Sequence, residues 1–141
     1  MLDVTEAEWE VLRIVWAMET IDSKTIVEIL EKKKNWTVST TKTLLRRLVQ
    51  KNILETKKIG NKFLYNAIIE EQKTLEEMTE NLLEKICAKK TVSIVEKIIA
   101  ANNLSKDNIN TLITMLEKQR EIALEEVKCN CTIGQCRCKK C

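Results

Sequence analysis

The chain contains no proline, and its two glycines, Gly60 and Gly134, stand far apart. With the strongest backbone breakers so scarce, helix ends must be set by capping side chains and polar stretches, and the sequence divides into a series of short helical segments. Thr5-Glu6-Ala7-Glu8 fits a capping box, in which a hydroxyl and a carboxylate three residues apart satisfy each other's backbone donors. Trp9, Leu12, Val15 and Trp16 then recur at helical spacing and define a buried face. A second start lies at Asp22-Ser23, with Ile26, Val27 and Leu30 directed inward ahead of the polar stretch from Lys32 to Asn35. A third begins near Ser39, whose hydroxyl can cap a helix over Thr40 to Gln50.

The third segment has two unlike sides. Thr41, Leu44, Leu45, Leu48 and Asn52 fall around one of them, while Ser39, Thr43, Arg46, Arg47 and Gln50 cluster around the other, with Lys42 at its edge. One face anchors and the other is offered to a partner. Threonine, lysine and arginine near a helix N-terminus suit reading of the DNA major groove, although an ordinary solvated helix has the same composition. The next segments favour the first reading. Two β-prone runs, Ile53 to Ile59 and Lys62 to Ile68, are separated by Gly60-Asn61, a favoured two-residue hairpin turn. Lys57, Lys58 and Lys62 stand near the tip. Three short helices followed by a basic-tipped hairpin make a winged helix-turn-helix, whose third helix enters the groove while the wing touches phosphates and so positions without reading sequence.

Beyond Ile69 the pattern is wholly helical. Leu75, Met78, Leu82 and Ile86 form one stripe, and Val92, Val95, Ile98 and Ile99 a second. Ser105 caps a long final helix with Ile109, Leu112, Ile113, Leu116, Ala123 and Val127 on one face. Three such helices cannot bury all their stripes against one another, so they read as a dimerisation arm, with a helical extension of the first domain as the alternative. The expected organisation is mainly α: a winged-helix DNA-binding domain over 1–69, a helical dimerisation region over 70–128, and a Cys-rich metal-binding tail over 129–141.

Charge is distributed unevenly. Residues 32 to 62 hold ten basic side chains against one acid, Glu55, whereas residues 70 to 128 hold twelve acids against nine bases. A basic middle segment fits a polyanion-binding face, since phosphate neutralisation with counterion release supplies most non-specific affinity for nucleic acid; a solvated lysine-rich surface is the plainer alternative. No apolar run approaches the roughly 20 residues needed to span a bilayer. The N-terminus lacks the basic and then apolar organisation of a secretory signal, which points to a cytoplasmic protein with no membrane partner. With no histidine, no nucleophile beside a base and no phosphate-cradling glycine loop, the chain does not read as an enzyme.

In a reducing compartment, clustered cysteines read as metal ligands rather than as a disulfide framework. Cys129, Cys131, Cys136 and Cys138 follow the pattern Cys-x-Cys-x4-Cys-x-Cys around Gly134, with Cys141 closing the chain. Four thiolates suit Zn(II), which takes a tetrahedral site, and also soft Cu(I), which binds thiolate at lower coordination. One divalent ion and two monovalent ions leave the same net charge on four thiolates, so a metal response built on those stoichiometries must work through geometry or order. Cys141 is either a fifth thiolate or a spare one, and Arg137, Lys139 and Lys140 either offset the thiolates or serve as solubilising residues. Cys87, alone on an apolar helix, reads as a small buried residue.

The run Thr5 to Val11, then Trp16, and the run Ser39 to Leu48 resemble the penicillinase repressor family of bacterial winged-helix dimers, a resemblance that extends over residues 1 to 127. Within that family the Cys-x-Cys-x4-Cys-x-Cys tail marks copper-responsive repressors. The resemblance implies a homodimer that binds an inverted-repeat operator in double-stranded DNA ahead of copper-export genes. It further implies Zn(II) on the tail in the DNA-binding form, and Cu(I) as inducer, delivered by a small copper chaperone and replacing the zinc. Thr40, Lys42, Thr43 and Arg46 inherit the base-facing positions, and Cys129, Cys131, Cys136 and Cys138 the ligand positions. Antibiotic-responsive members are inactivated by cleavage of an Asn-Phe bond in the dimer arm; here the only phenylalanine, Phe63, follows Lys62, so that switch is not expected. A repressor of another thiophilic metal, zinc or cadmium, and a copper-buffering protein are the competing readings.

Overall fold

The computed structural model describes residues 2–138. The expectations for Cys141, Lys139 and Lys140 lie outside the described residues. The chain forms α1 (Glu6–Met18), β1 (Ile21–Asp22), α2 (Ser23–Lys34), α3 (Val38–Gln50), β2 (Leu54–Ile59), β3 (Lys62–Ala67), α4 (Glu71–Glu84), a 3-10 turn (Ala88–Lys90), α5 (Thr91–Ala101) and α6 (Lys106–Ile122). It divides into two compact units, Met1–Met78 and Thr79–Cys141, a division that falls within α4 and leaves the tail in the second unit.

In the first unit the caps act as the sequence indicates, with one displacement. Thr5 and Glu8 form the reciprocal capping box of α1, and Asp22 caps α2 by accepting from the Thr25 amide. Helix α3, however, starts at Val38, two residues ahead of the expected Thr40, and its cap lies two residues before Ser39. Thr37 is its cap, accepting from the Thr40 amide at 3.2 Å, and Ser39 lies within the first turn, its carbonyl accepting from the Thr43 hydroxyl. Both hydroxyls can cap, but Thr37 also pairs with the Thr40 hydroxyl at 3.0 Å. The end of α3 is a Schellman closure: Asn52 takes a left-handed conformation (φ +58°), its amide donates to the Val49 carbonyl, and the Ile53 amide to the Leu48 carbonyl. Asn52 is therefore beyond the helix and exposed, while Ile53 turns back into the core.

Val11, Leu12 and Val15 of α1, Ile26 and Leu30 of α2, and Leu44, Leu45 and Leu48 of α3 pack with Ile21, Ile53 and Leu54 into one cluster. Trp9 and Trp16 flank it edge to face, and the Trp16 indole donates to the Ile69 carbonyl at 2.9 Å. The sheet order is β1-β3-β2, all antiparallel. Hairpin β2-β3 pairs Leu54 with Ala67 and Ile59 with Lys62 around Gly60, whose φ of +62° at the first turn position is the conformation glycine supplies without strain. The result is a winged helix, with β1 as a short third strand that a two-residue segment gives no periodicity to reveal.

In the second unit α6 starts at a Ser105–Asn108 capping box and stops at Ile122, with Ala123 extended. Ala123 and Val127 thus lie past the helix rather than on its apolar face. Glu125 and Glu126 in the next turn would oppose the negative end of the helix dipole, a physical reason to stop there. Among the described residues of this unit only Cys87 is buried. The large apolar side chains of α5 and α6, including Ile98, Ile113 and Leu116, remain about half exposed.

Candidate functional site

The outward face of α3 follows directly from its inward one. Thr41, Leu44, Leu45 and Leu48 are buried, and the same periodicity leaves Ser39, Thr40, Lys42, Arg46 and Arg47 exposed, with Thr43 half-buried. Val38, Ser39, Lys42, Thr43 and Arg46 line a shallow groove along the first turns. Exposed hydroxyls, an ammonium and a guanidinium thus share one surface at the N-terminal half of a helix, where backbone amides and the dipole also favour anions.

Lys57 and Lys58 of β2 and Lys62 of β3 are exposed on the hairpin, as expected for a wing. Lys58 lies over the Phe63 ring at 5.6 Å, and the Lys62 ammonium is 3.8 Å from the Asp22 carboxylate while remaining largely exposed. The basic segment is not uniformly available, however. Lys33 and Lys34 reach the Glu10 carboxylate at 3.2 and 3.5 Å, and Lys51 reaches Glu8 at 2.7 Å. Hydrogen bonding from Lys33 holds Glu10 below its ordinary pKa of 4.5. Lys33, Lys34 and Lys51, and at longer range Lys62, are therefore already paired with carboxylates of the winged helix, a distinction that a count of charges cannot make.

The second site is built from sulfur. In the second unit the chain reverses between Thr132 and Gln135, whose amide donates to the Thr132 carbonyl at 3.0 Å, with Gly134 at φ +91°. This turn brings Cys136 back to Cys129, their sulfurs 3.8 Å apart. Cys87, from the bend after α4, places its sulfur 3.6 Å from that of Cys129. The sulfurs of Cys87, Cys129, Cys131 and Cys136 all lie within 4.8 Å of one another. Four sulfurs at the corners of a tetrahedron with metal bonds of about 2.3 Å are separated by about 3.8 Å, which the Cys87–Cys129 and Cys129–Cys136 distances match and which the 4.8 Å bound on the other pairs exceeds by about 1 Å.

Local amides are arranged to favour thiolates. The Lys89 amide donates to the Cys87 sulfur and draws that thiol below its ordinary pKa of 9.0, against burial. Cys131 is pushed up to about 11, first by burial and then by its sulfur neighbours Cys87 and Cys136. Cys87, Cys131, Cys136 and Cys138 are free thiols. Of the four expected ligands, Cys129, Cys131 and Cys136 come together. Cys138 is not in the set; it lies against the Lys89 ammonium, which it holds above its ordinary pKa. Cys87 joins instead, and its separation from the tail by 42 residues left no spacing signal in the sequence.

A family model described as penicillinase repressor matches residues 4–118. The chain belongs to the penicillinase repressor family. It is 36% identical over 138 residues to an uncharacterized 16.5 kDa protein in the ptsI 3′ region of Latilactobacillus sakei, covering 98% of this chain and 94% of that one. It is 29% identical over 117 residues to the methicillin resistance regulatory protein MecI of Staphylococcus aureus, covering 83% and 95%. A solved relative is the Bacillus licheniformis BlaI monomeric form in complex with the blaP half-operator. That structure is 31% identical, has a TM-score of 0.46 and covers 50% of this chain and 87% of that one. The family match ends at residue 118, before the tail cysteines. Among the described residues, no helix of this penicillinase repressor family member is long and apolar enough to cross a membrane.

Proposed function

We propose that this chain is a homodimeric, metal-responsive transcriptional repressor of the copper-sensing, CopY-type branch of its family. Operator DNA is gripped by α3 and the wing, with Ser39, Thr40, Lys42, Thr43, Arg46 and Arg47 at the groove and Lys57, Lys58 and Lys62 on phosphates. The family's named members are repressors rather than enzymes, which supports a binding role. The observation that carries the metal response is the convergence of the Cys129, Cys131 and Cys136 sulfurs to within 4.8 Å of one another, with Cys129 and Cys136 3.8 Å apart. An all-sulfur donor set fits Zn(II) in the DNA-binding form and Cu(I) as inducer, and it fits poorly with hard, oxygen-seeking ions. When bound, the metal supplies cross-linking of otherwise separate chain segments.

Because the two proposed loadings leave the same charge on four thiolates, the signal to DNA is conformational: the two metal states must differ in how they order the second unit, and so in operator affinity. A small copper chaperone would deliver Cu(I). Tetrahedral sulfur dimensions also suit a sensor of zinc or cadmium, and order of addition distinguishes the two. Operator occupancy is measured by fluorescence anisotropy for the reduced, Zn(II)-loaded dimer while Cu(I) is added, beside a deletion ending at Lys128. The full chain is expected to release DNA and the deletion to keep it. Release by the deletion would remove the tail as sensor. Absence of any sequence-selective shift, with Lys42→Ala and Arg46→Ala indistinguishable from the parent, would favour a copper buffer.

A further inference from the structure

The second unit has no buried apolar side chain of its own among the described residues, yet one thiol is withdrawn from solvent there. Cys87 is 6% exposed. A unit with so little core is the kind that needs a covalent or metal staple to hold together. We infer that Cys87, and not Cys138, supplies the fourth sulfur to a tetrahedral thiophilic ion, so that metal binding ties the tail to the bend between α4 and α5. The inference rests on the metal-sensing reading above and specifies which residues make the site.

Three features carry it. The Cys87 sulfur is within 3.6 Å of Cys129, close to the edge of about 3.8 Å that a tetrahedron with 2.3 Å bonds requires. Next, a hydrogen-bond pattern repeats. The amide two residues on donates to the sulfur at Cys87 from Lys89, at Cys129 from Cys131 at 3.4 Å, and at Cys136 from Cys138 at 3.2 Å. Amide donors of this kind stabilise a thiolate and orient it for a metal, and Cys87 shares the arrangement with two tail cysteines. Finally, the Ala88 amide donates to the Asn130 side-chain oxygen at 2.8 Å, so the residue after Cys87 is held to the residue between Cys129 and Cys131 without help from sulfur. Cys138 uses its amide on Cys136 and turns its sulfur to Lys89.

Closing a link between positions 87 and 129 encloses α5 and α6 in one loop. A site made by the tail alone would close only the short turn around Gly134 and would leave those helices untouched. Engagement of Cys87 therefore gives the metal a direct hold on the helices read as the dimer arm.

The test uses the full chain, reduced with a phosphine, with and without one equivalent of Zn(II). Alkylation rates at each cysteine are read by peptide mass mapping. Zinc is expected to slow modification of Cys87, Cys129, Cys131 and Cys136 relative to the metal-free chain, and to leave Cys138 reactive. In a second arm Co(II) is titrated into the parent, Cys87→Ser and Cys138→Ser. Cys138→Ser should keep the parent's tetrahedral sulfur spectrum. Cys87→Ser should lose about a quarter of its charge-transfer intensity, and at least the roughly 10-fold in affinity that even an outer contact to a ligand commands. Protection of Cys138 with no zinc effect at Cys87 overturns the inference while the repressor reading survives. Failure of the parent to bind Zn(II) or Cu(I) at all overturns both. The alkylation arm uses only the natural chain, so a misfolded Cys87→Ser cannot obscure the answer.

Discussion

Glu8 shows how one side chain serves several levels of the fold. It is 1% exposed, closes the capping box of α1 through the Thr5 amide and accepts from Lys51 at 2.7 Å. Burial pushes its pKa up, but the Lys51 and Thr5 hydrogen bonds together outweigh that and hold it below the ordinary 4.5. A carboxylate lowered in this way contributes stability that is fully present above 4.5 and is lost as pH falls through the folded value. Glu8→Gln is expected to destabilise the first unit by about 1.5–3 kcal/mol near neutral pH, the usual range for a hydrogen bond to a charged group. Urea unfolding should show the variant's deficit shrinking as pH is taken below 4.5, and a constant deficit would show that the charge is not responsible. Thr41 offers the opposite case. Its hydroxyl is fully buried on α3 and has no hydrogen-bond partner among the described residues. Thr41→Val should therefore raise stability by about 1 kcal/mol, read as a higher urea midpoint at unchanged slope, whereas destabilisation would mean that the hydroxyl has a partner.

Elements were legible where periodicity ran long. The stripes of α1, α2 and α3 and the Gly60-Asn61 hairpin follow from residue spacing alone, and Leu44, Leu45 and Leu48 are buried as that spacing requires. Ends were harder to read, because Thr37 and Ser39 are chemically equivalent caps and only the packed helix decides between them. β1 and the use of Cys87 could not be read locally at all, since each depends on a partner distant in the chain, Tyr65 and Leu64 for the strand and Cys129 for the thiol. The roles assigned to α3 and the wing lead to different binding signatures. Arg46→Ala should cost about 1–3 kcal/mol of operator affinity and relax discrimination against a changed base pair. Lys57→Ala should weaken all sequences alike and lower the slope of log affinity against log salt by about one. Anisotropy titrations at several salt concentrations separate the two, and a uniform effect from Arg46→Ala would move that residue from base reading to phosphate contact.

The whole chain combines a well-packed unit with one that is incomplete by itself. The first has an apolar cluster drawn from three helices and the hairpin, whereas the second leaves Ile98, Ile113 and Leu116 about half exposed. Side chains of this size at helical spacing are costly to leave in water, each worth about 1.5–3 kcal/mol when fully buried, and a second copy of the same surface is the cover that the proposed homodimer supplies. Charge placed on that face should then separate assembly from folding. Ile113→Glu combined with Leu116→Glu is expected to shift the chain from dimer to monomer in sedimentation equilibrium while leaving unfolding of the first unit unchanged. On an inverted-repeat operator the variant should lose the gain from linking two half-site contacts, which amounts to about 100-fold or more, and should bind a single half-site as the parent does. A variant that stays dimeric would show that these stripes are covered in some other way, and equal affinity for one and two half-sites in the parent would show that pairing of the chains does not serve operator binding.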